Sequence, residues 1–308
     1  MKLKDYPCPQ GPAYEDLPPE AEVLAALEAL DIRFPDVFYD SEMYARYARY
    51  EYDGEAVVIM PLDHALEAEV YGAEITPGTA FHELRLQEPR SGKPEDVLNL
   101  PLPDMTAGRF PVIFAAGKEL LKQGYRVGLG LAGPYTFYGG LIPLKRMMIA
   151  SRRAPEVLLS LLERMVDIHM AIITEAERRG FSIVSLGDPT GSLSVLGPRG
   201  FRQTLERYVL PLVNRILDET GVRILLCPKY RLGFESLGIL AKEVHNFDEP
   251  IGFYDAIGRT FDEARIFGDR CPNETRPTKR IVTYRLAEIG ADDGAKDAIE
   301  GVDPTESV

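Results

Sequence analysis

The sequence predicts an α/β fold, a (β/α)8 barrel with a helical extension at its N-terminus. The first observation is a series of short apolar runs, rich in β-branched residues, in which apolar and polar residues do not alternate. Parallel strands that are buried on both faces have this pattern. The second observation is that long stretches with the apolar spacing of helices separate these runs, as helices separate the strands of such a barrel.

The N-terminal part predicts an irregular arm, two helices and a first strand. Residues 1–20 are rich in proline and show no apolar period. Segments 19–30 and 41–50 have the spacing of amphipathic helices, and the apolar run at about 56–61 is the first predicted strand. The polar stretch 77–109 is longer than an ordinary loop, so it predicts a lid or an extra subdomain.

From residue 110 onward, helix and strand patterns alternate regularly. Pro155 opens the longest predicted helix, in the first turn, where a missing N–H costs nothing. Six strands can be recognised along the chain, with room for one more near 280–288, while a closed barrel needs eight. The predicted elements are helix 110–123, strand 125–133, helix 155–180, strand 182–188, helix 197–221, strand 223–227, short helix 236–241, strand 242–247 and strand 264–269.

Three regions follow from these elements. Residues 1–50 are predicted to form an arm and helices that pack on the barrel, and residues 51–290 the barrel itself. Residues 291–308 are acidic and poor in apolar residues, a composition typical of disordered segments.

The composition is that of a globular protein and argues against several classes of partner. Of the 308 residues, 45% are hydrophobic and 27% are charged, with a formal net charge of −13. Because nucleic acids and anionic membranes attract Lys and Arg, we expect neither as a partner. No apolar stretch is long enough to span a bilayer, and the first residues lack the apolar core of a signal peptide. The three cysteines, Cys8, Cys227 and Cys271, are few and far apart, which favours a reducing cytoplasm.

The predicted strands end in polar or reactive side chains. Asp63, Asp188, Cys227, Asn246 and Asp269 each follow an apolar run. In a (β/α) barrel, the residues just past the strand ends converge on one mouth, where the active sites of these folds lie. We therefore expect Asp63, Asp188 and Cys227 to be neighbours around one cavity, with Asn246 as a substrate-binding residue.

Asp63 and Asp188 are the candidate acid–base residues. Apolar neighbours would raise the pKa of either carboxyl group, which suits a general base or a substrate anchor. The alternative is that each Asp accepts backbone N–H groups at the start of the following helix. Glu67 lies four residues after Asp63, so on a helix it would share that face and could orient the substrate, whereas Glu69 would not.

Cys227 allows several interpretations, and two cations follow it. Lys229 and Arg231 would favour a thiolate and could neutralise an anionic substrate. The thiol could be a metal ligand, a nucleophile or a pocket-lining group, and a buried cysteine is also commonly an inert small hydrophobe. A zinc site would need two or three further ligands, for which the spacing of the other Asp, Glu, His and Cys residues gives no independent support.

Two tyrosines and one histidine complete the set of candidates. Tyr135 and Tyr138 could present hydroxyl groups or ring faces to a substrate, or fill the core. Gly133 stands where the backbone must approach a ligand or another loop closely. His169 lies on an apolar helical stripe, so we expect it to be a packed helix residue rather than part of a corrinoid-binding loop.

Four ordered segments carry a family resemblance: DHALEAEVYGAEI (63–75), GLGLAGPYTFYGGLI (128–142), the block from GFSIVSLGDPTG to LVNRI (180–216), and RILLCPKY (223–230). Together they resemble the uroporphyrinogen decarboxylase superfamily, which also contains the corrinoid (cobamide) methyltransferases. The resemblance implies the barrel of that superfamily with a shortened C-terminus. The EAE run and the Asp188–Pro189 turn are more similar to the methyltransferase branch.

Departures from the family pattern fall on catalytic positions. The decarboxylases open with an R-Q-A-G-R loop, which this chain lacks, although Asp63 has the spacing to Gly72 of their pyrrole-facing aspartate. The methyltransferases hold zinc with His-x-Cys and a distant Cys. Here Leu225 stands at the histidine position and only Cys227 remains, so the usual zinc motif is degenerate.

The resemblance implies three alternative functions. The first is a methyltransferase-like enzyme that transfers a methyl group between a corrinoid on a separate protein and a small thiol, ether or amine. In it, Asp63, Asp188 and Cys227 would be catalytic, with zinc at Cys227 as an open alternative. The second is a decarboxylase of a tetrapyrrole. The third is a non-catalytic binding or scaffolding subunit of a corrinoid methyltransferase system.

Overall fold

A computed structural model describes Leu3 and residues 20–61, 63–77, 84–272 and 276–287. These residues form an α/β fold around one mostly parallel sheet. The strands are β1 (Val57–Met60), β2 (Ile75–Pro77), β3 (Leu84–Leu86), β4 (Arg126–Ala132), β5 (Ile183–Gly187), β6 (Arg223–Leu226), β7 (Leu240–Ile251), β8 (Ile266–Phe267) and β9 (Thr278–Leu286). The helices are α1 (Glu20–Ala29), α2 (Ser41–Glu51), α3 (Leu66–Glu69), α4 (Phe110–Lys122), α5 (Pro134–Gly139), α6 (Leu144–Arg153), α7 (Pro155–Arg178), α8 (Leu193–Thr204), α9 (Leu210–Glu219), α10 (Pro228–Ser236) and α11 (Phe253–Arg259).

The main sheet has the strand order β1-β4-β5-β6-β8-β9-β7. The first five of these strands are parallel, whereas β8–β9 and β9–β7 are antiparallel pairs. Strands β1 and β6 are almost wholly buried, as their unbroken apolar runs predict, because helices cover both faces of a parallel sheet. The prediction of an α/β fold with a parallel core is therefore confirmed, and closure into eight strands stays a prediction.

The two N-terminal helices, α1 and α2, lie at the predicted positions along the chain. Helix α2 begins after Asp40, whose side chain accepts a hydrogen bond from the Met43 N–H at 2.8 Å. Its buried face includes Tyr44 and Tyr47 and lies against α4 and β1. Most of the predicted arm 1–20 and the whole acidic tail 291–308, like Cys8, lie outside the described residues.

The C-terminal third differs from the sequence prediction in two ways. The prediction of a helix at 236–241 is wrong. Helix α10 begins earlier, at Pro228, directly after β6, and ends at Ser236. Gly238, with a φ of 71°, has a left-handed conformation that does not continue a helix. The segment 242–247 is a strand, as expected, but it belongs to the twelve-residue antiparallel strand β7 at the edge of the sheet. A strand pattern does not reveal the direction of its partner, which explains this error.

Helix α11 occupies the space between β1 and β9 and contacts both strands. Glu55 accepts the backbone N–H of Asp255 at 2.5 Å, and the rings of Tyr52 and Tyr254 pack edge to face at 4.9 Å. A Cβ at Gly252 would collide with the Glu55 carboxyl group, so a larger residue there would displace this side chain. The start of the sheet is thereby tied to the C-terminal part of the chain.

Candidate functional site

Residues that follow β1, β4, β5 and β6 lie at one edge of the parallel sheet, because parallel strands end on the same side. The Gly133 N–H donates to the carbonyl of Gly187 at 2.7 Å, and the Cys227 N–H donates to that of Leu186 at 2.9 Å. The chain segments after β4, β5 and β6 are therefore in direct contact. They carry Tyr135, Asp188 and Cys227, whereas Asp63, the third residue of the predicted set, follows β1 and has other partners.

Asp63, after β1, is bound to Arg109, which was not among the residues predicted from the sequence. The Arg109 guanidinium donates to both oxygens of Asp63, at 2.8 and 2.9 Å, and to Glu69 at 2.8 Å. These three residues form the Arg109 cluster. Asp63 also accepts the Ala65 N–H at 2.9 Å, two residues further along the chain, as in an Asx turn before α3. Burial opposes the charge of Arg109, but the hydrogen bonds and charge of Asp63 raise the pKa of the guanidinium overall.

Arg109 and Asp63 are sealed from solvent, with side chains 0% and 1% exposed, whereas the Glu69 side chain is 18% exposed. A bidentate pair of this kind uses the carboxylate oxygens fully and fixes their orientation. Asp63 therefore has the contacts of a structural residue that joins α3 to the start of α4. The sequence offered one signal for this partner: Arg109 ends the long polar excursion directly before an apolar helix.

Glu67 points into the protein beside His169 and Tyr208, and these three residues form the Glu67 cluster. Its Oε1 accepts the Ala132 N–H, at the end of β4, at 2.6 Å and lies 3.7 Å from His169 Nε2. On the other side of the imidazole ring, Nδ1 is 2.8 Å from the Tyr208 hydroxyl. Glu67 is thus the inward residue of the EAE run, as expected, but Glu69 and not Glu67 shares Arg109 with Asp63.

Burial makes the Glu67 cluster uncharged at neutral pH. Desolvation raises the pKa of Glu67 to about 8, against the hydrogen bond from Ala132, and lowers the pKa of His169 to about 3. The contact between them is therefore one of a carboxylic acid with a neutral imidazole and not an ion pair. Burial, together with the charges of Asp188 and Glu67, raises the pKa of Tyr208 well above 10.0. His169 is fully buried in α7, as its apolar stripe predicts.

Asp188, after β5, caps helix α5 instead of the helix that follows it in the chain. Its carboxylate accepts the N–H groups of Tyr135, Thr136 and Gly191 at 2.9, 3.1 and 3.0 Å, and the Thr136 hydroxyl at 2.7 Å. Desolvation raises the pKa of Asp188 although these bonds oppose it. A Cβ at Gly133 or Gly191 would lie 2.5 Å from Asp188 atoms, so both glycines permit this close approach.

Cys227 and Lys229 begin helix α10 beside Asp188. Cys227 is the N-cap residue and is 8% exposed. A helix N-terminus favours a thiolate because its N–H groups carry partial positive charge. The buried Lys229 ammonium lies 3.4 and 3.3 Å from the carbonyl oxygens of Asp188 and Pro189. Lys229 therefore joins the end of β5 to the end of β6.

The remaining predicted residues have other surroundings. Tyr138 donates to the carbonyl of Leu161 and fills the core, and burial raises the pKa of Tyr135 to about 12. Arg231 binds Glu235 at 3.0 Å and the carbonyl of Gly268 at 3.2 Å. Asn246 is exposed on β7, opposite Arg280, so the expectation that it follows a parallel strand at the mouth is wrong.

Two cavities in the described part of the chain lie away from the predicted residues. One of about 280 Å³ lies between α9, β8 and β9 and is lined by Glu243, Arg265 and Tyr284. A groove of about 350 Å³ lies beside α4 and is lined by Phe114 and Lys118. Asp63, Asp188 and Cys227 line neither of them. The expectation of a shared open cavity therefore finds no support in these two spaces.

The donor set does not fit zinc. Within the described ranges, no group of three or more His, Cys, Asp or Glu side chains is arranged to hold a metal ion. Asp188, at the end of the neighbouring strand β5, already accepts four hydrogen bonds. A structural or catalytic zinc site needs three or four such ligands.

We therefore expect treatment with EDTA to leave the melting temperature of the protein unchanged. Melting curves followed by circular dichroism, with and without chelator and then with added zinc, measure this directly. A lower melting temperature after chelation that zinc alone restores would contradict it, because bound metal stabilises the folded state.

No helix in the described ranges is both long and apolar enough to cross a membrane. The parallel sheet with helices between its strands defines a protein of the (β/α) class, a class in which sites lie at the carboxyl ends of the strands. Residues 23–260 match the family described as Uroporphyrinogen decarboxylase (URO-D). The chain belongs to this family.

Two relatives with assigned activities are methyltransferases. The methylcobamide:CoM methyltransferase MtaA of Methanosarcina barkeri is 22% identical over 253 residues, which cover 80% of this chain and 72% of the relative. The MtaA of M. barkeri strain Fusaro matches equally. A solved methyltransferase structure from Methanosarcina mazei has a TM-score of 0.56 at 20% identity, and the match covers 66% of this chain and 60% of that one. This structural likeness shows the shared fold.

Proposed function

We propose that this protein takes part in corrinoid-dependent methyl transfer between a corrinoid carried by a separate protein and a small thiol, ether or amine. The relatives named methylcobamide:CoM methyltransferase support the reaction class. The observation that carries the proposal is the contact of the ends of β5 and β6, which brings Cys227 and Lys229 beside Asp188. Methyl transfer needs little covalent chemistry from the protein beyond positioning and electrostatics, which such an edge supplies.

Each residue has a defined part in this proposal. Lys229 has three N–H donors, and carbonyl oxygens of the described residues accept two of them, so the third would bind an anionic substrate. Cys227, at the N-terminus of α10, would contact the methyl acceptor. Asp188 would act through its bonds to Tyr135 and Thr136, which hold the start of α5 in place. Asp63 would have no direct part, because Arg109 and Ala65 occupy its oxygens.

The test is an assay of methyl transfer from methylcobalamin to a panel of small thiols, followed by the corrin absorption spectrum. We expect the wild-type chain to demethylate the corrin with at least one thiol, and Cys227→Ser to lower that rate more than tenfold. Cys271→Ser is the matched control, because Cys271 is a second buried cysteine, which lies beside Tyr254. An unchanged spectrum with every thiol, or equal rates for both variants, would contradict the proposal.

A second candidate is a non-catalytic subunit that binds a corrinoid protein. One observation favours it: the predicted catalytic carboxylates, Asp63 and Asp188, are buried and bonded within the chain. Co-purification with a corrinoid protein, without methyl transfer in the same assay, would favour this candidate over the enzyme. The tetrapyrrole decarboxylase depends on a substrate-facing Asp63, and the bidentate bond to Arg109 speaks against that role.

A further inference from the structure

Strand β7 presents a long hydrogen-bonding edge on the surface. It has twelve residues and, among the described strands, pairs only with β9. Most of its residues are exposed, and Val244 is 51% exposed. An edge of this length carries a row of outward N–H and C=O groups, which can pair with another strand. Proteins usually shorten or cover such an edge.

Two sets of side chains alternate along β7, because successive residues of a strand point to opposite faces. Val244 lies opposite Val282 in the ladder, between Lys242 and Asn246 on the same face. His245 lies on the other face, where it contacts Thr283 at 2.9 Å and Glu263 at 3.2 Å. The ladder with β9 is regular over 240–246 and shifts register after Asn246. A pairing strand would therefore find ideal backbone geometry only along 240–246.

We propose that a second copy of this chain pairs with β7, antiparallel, around a two-fold axis at Val244. A two-fold axis perpendicular to the sheet sets one residue opposite its own copy, since opposite side chains must point to the same face. The candidate registers therefore differ by which residue lies on the axis. Charge then separates them, because like charges directly opposite each other are destabilising.

Charge excludes three of the central registers. Centring on Lys242 or Glu243 sets each residue opposite its own charge, and centring on Asn246 sets Glu243 opposite Glu249. Centring on His245 uses residues 247 and 248, beyond the regular part of the ladder.

Centring on Val244 satisfies every requirement. Glu243 then faces His245 of the second copy at two symmetric places, and Lys242 faces Asn246. The exposed Val244 side chain is buried against its own copy, so burial of apolar surface adds to the backbone hydrogen bonds. The five central residues of this register, 242–246, all lie within the regular ladder.

Sedimentation velocity over a concentration series tests this pairing. We expect the wild-type chain to associate to a dimer as concentration rises, and Val244→Lys to remain monomeric because two ammonium groups would meet on the axis. Val195→Lys is the matched control, because Val195 is 50% exposed on α8, away from β7. Far-UV circular dichroism verifies that each variant is folded. A monomeric wild-type chain at every concentration, or a dimer unaffected by Val244→Lys, would overturn the proposal.

A crosslink tests the register itself. With Val244→Cys, the two new thiols would face each other across the axis, with Cα atoms roughly 4.5–5.5 Å apart, a separation that a disulfide spans. We expect oxidation to give a covalent dimer on a non-reducing gel, and Val195→Cys to give monomer under the same conditions. A covalent dimer of both variants, or of neither, would reject pairing at Val244. Another strand covering β7 would also block the crosslink and count against the proposal.

Discussion

Replacing Arg109 with alanine is expected to lower the free energy of unfolding by about 3–5 kcal/mol. The substitution removes three hydrogen bonds and leaves the Asp63 carboxylate, with its side chain 1% exposed, without the cation that compensates its burial. The cost of breaking a buried pair by removing one partner is the desolvation of the charge left behind. Urea denaturation followed by far-UV circular dichroism measures the change.

Two further variants separate the charge from the geometry of this pair. Arg109→Lys keeps a cation but replaces the planar fork with a single ammonium, so we expect a smaller loss of stability. Arg207→Ala is the surface control, because Arg207 and Glu163 form a pair at 3.2 Å with both side chains more than half exposed. Such a pair contributes little to stability. An Arg109→Ala variant as stable as Arg207→Ala would refute a structural role for the cluster.

The parallel core of the fold could be predicted because its signal is local. The apolar runs VVIM in β1 and RILL in β6 indicate buried strands by themselves, without knowledge of the strands that pair with them. Strand β7 was expected to be parallel to its neighbours, and this was wrong because its direction depends on pairing with β9, a strand distant in the sequence. Helix α10 was missed because it begins immediately after β6, with no intervening polar loop to mark its start.

The candidate site was predictable only as a set of strand ends. Sequence placed Asp188 after β5 correctly, but the groups it caps belong to α5, which lies more than fifty residues earlier in the chain. Likewise, Arg109 lies 46 residues from Asp63, and the spacing of two residues in a sequence does not indicate that a loop will bring them together. Long-range hydrogen bonds therefore decide which carboxylates remain available for chemistry, and this information appears first in the three-dimensional structure.

Because of the Glu67 cluster, we expect the free energy of unfolding to change little with pH in mildly acidic solution. Glu67 has a folded pKa of about 8 against a usual value of 4.5, so the unfolded chain binds fewer protons between these limits. Its contribution to stability therefore falls as pH rises through that window. His169 has a folded pKa of about 3 against 6.5, so the unfolded chain binds more protons there and stability falls as pH decreases.

The two effects oppose each other where their windows overlap, between 4.5 and 6.5, because Glu67 lowers stability and His169 raises it as pH increases. Above this overlap only Glu67 acts, and below it only His169 acts. Each pH unit of a single active group changes the free energy of unfolding by about 1.4 kcal/mol. Between pH 6.5, where the overlap ends, and about pH 8, the pKa of Glu67, the cluster alone would therefore lower the free energy of unfolding by roughly 2 kcal/mol.

Comparing single variants with wild type separates the effect of Glu67 and the effect of His169 from those of the other titrating groups. Relative to wild type, Glu67→Gln should gain stability steadily as pH rises from 4.5 to about 8, because glutamine keeps the acceptor for the Ala132 N–H and cannot ionise. His169→Asn should show the opposite trend, gaining relative stability as pH falls from 6.5 to about 3. Urea denaturation at intervals of half a pH unit gives both difference curves. The result that would contradict this is a stability difference between Glu67→Gln and wild type that does not change from pH 4.5 to about 8. The Glu67 carboxyl would then ionise as readily in the folded chain as in the unfolded one, and the assignment of a buried, protonated Glu67 at the end of β4 would be rejected.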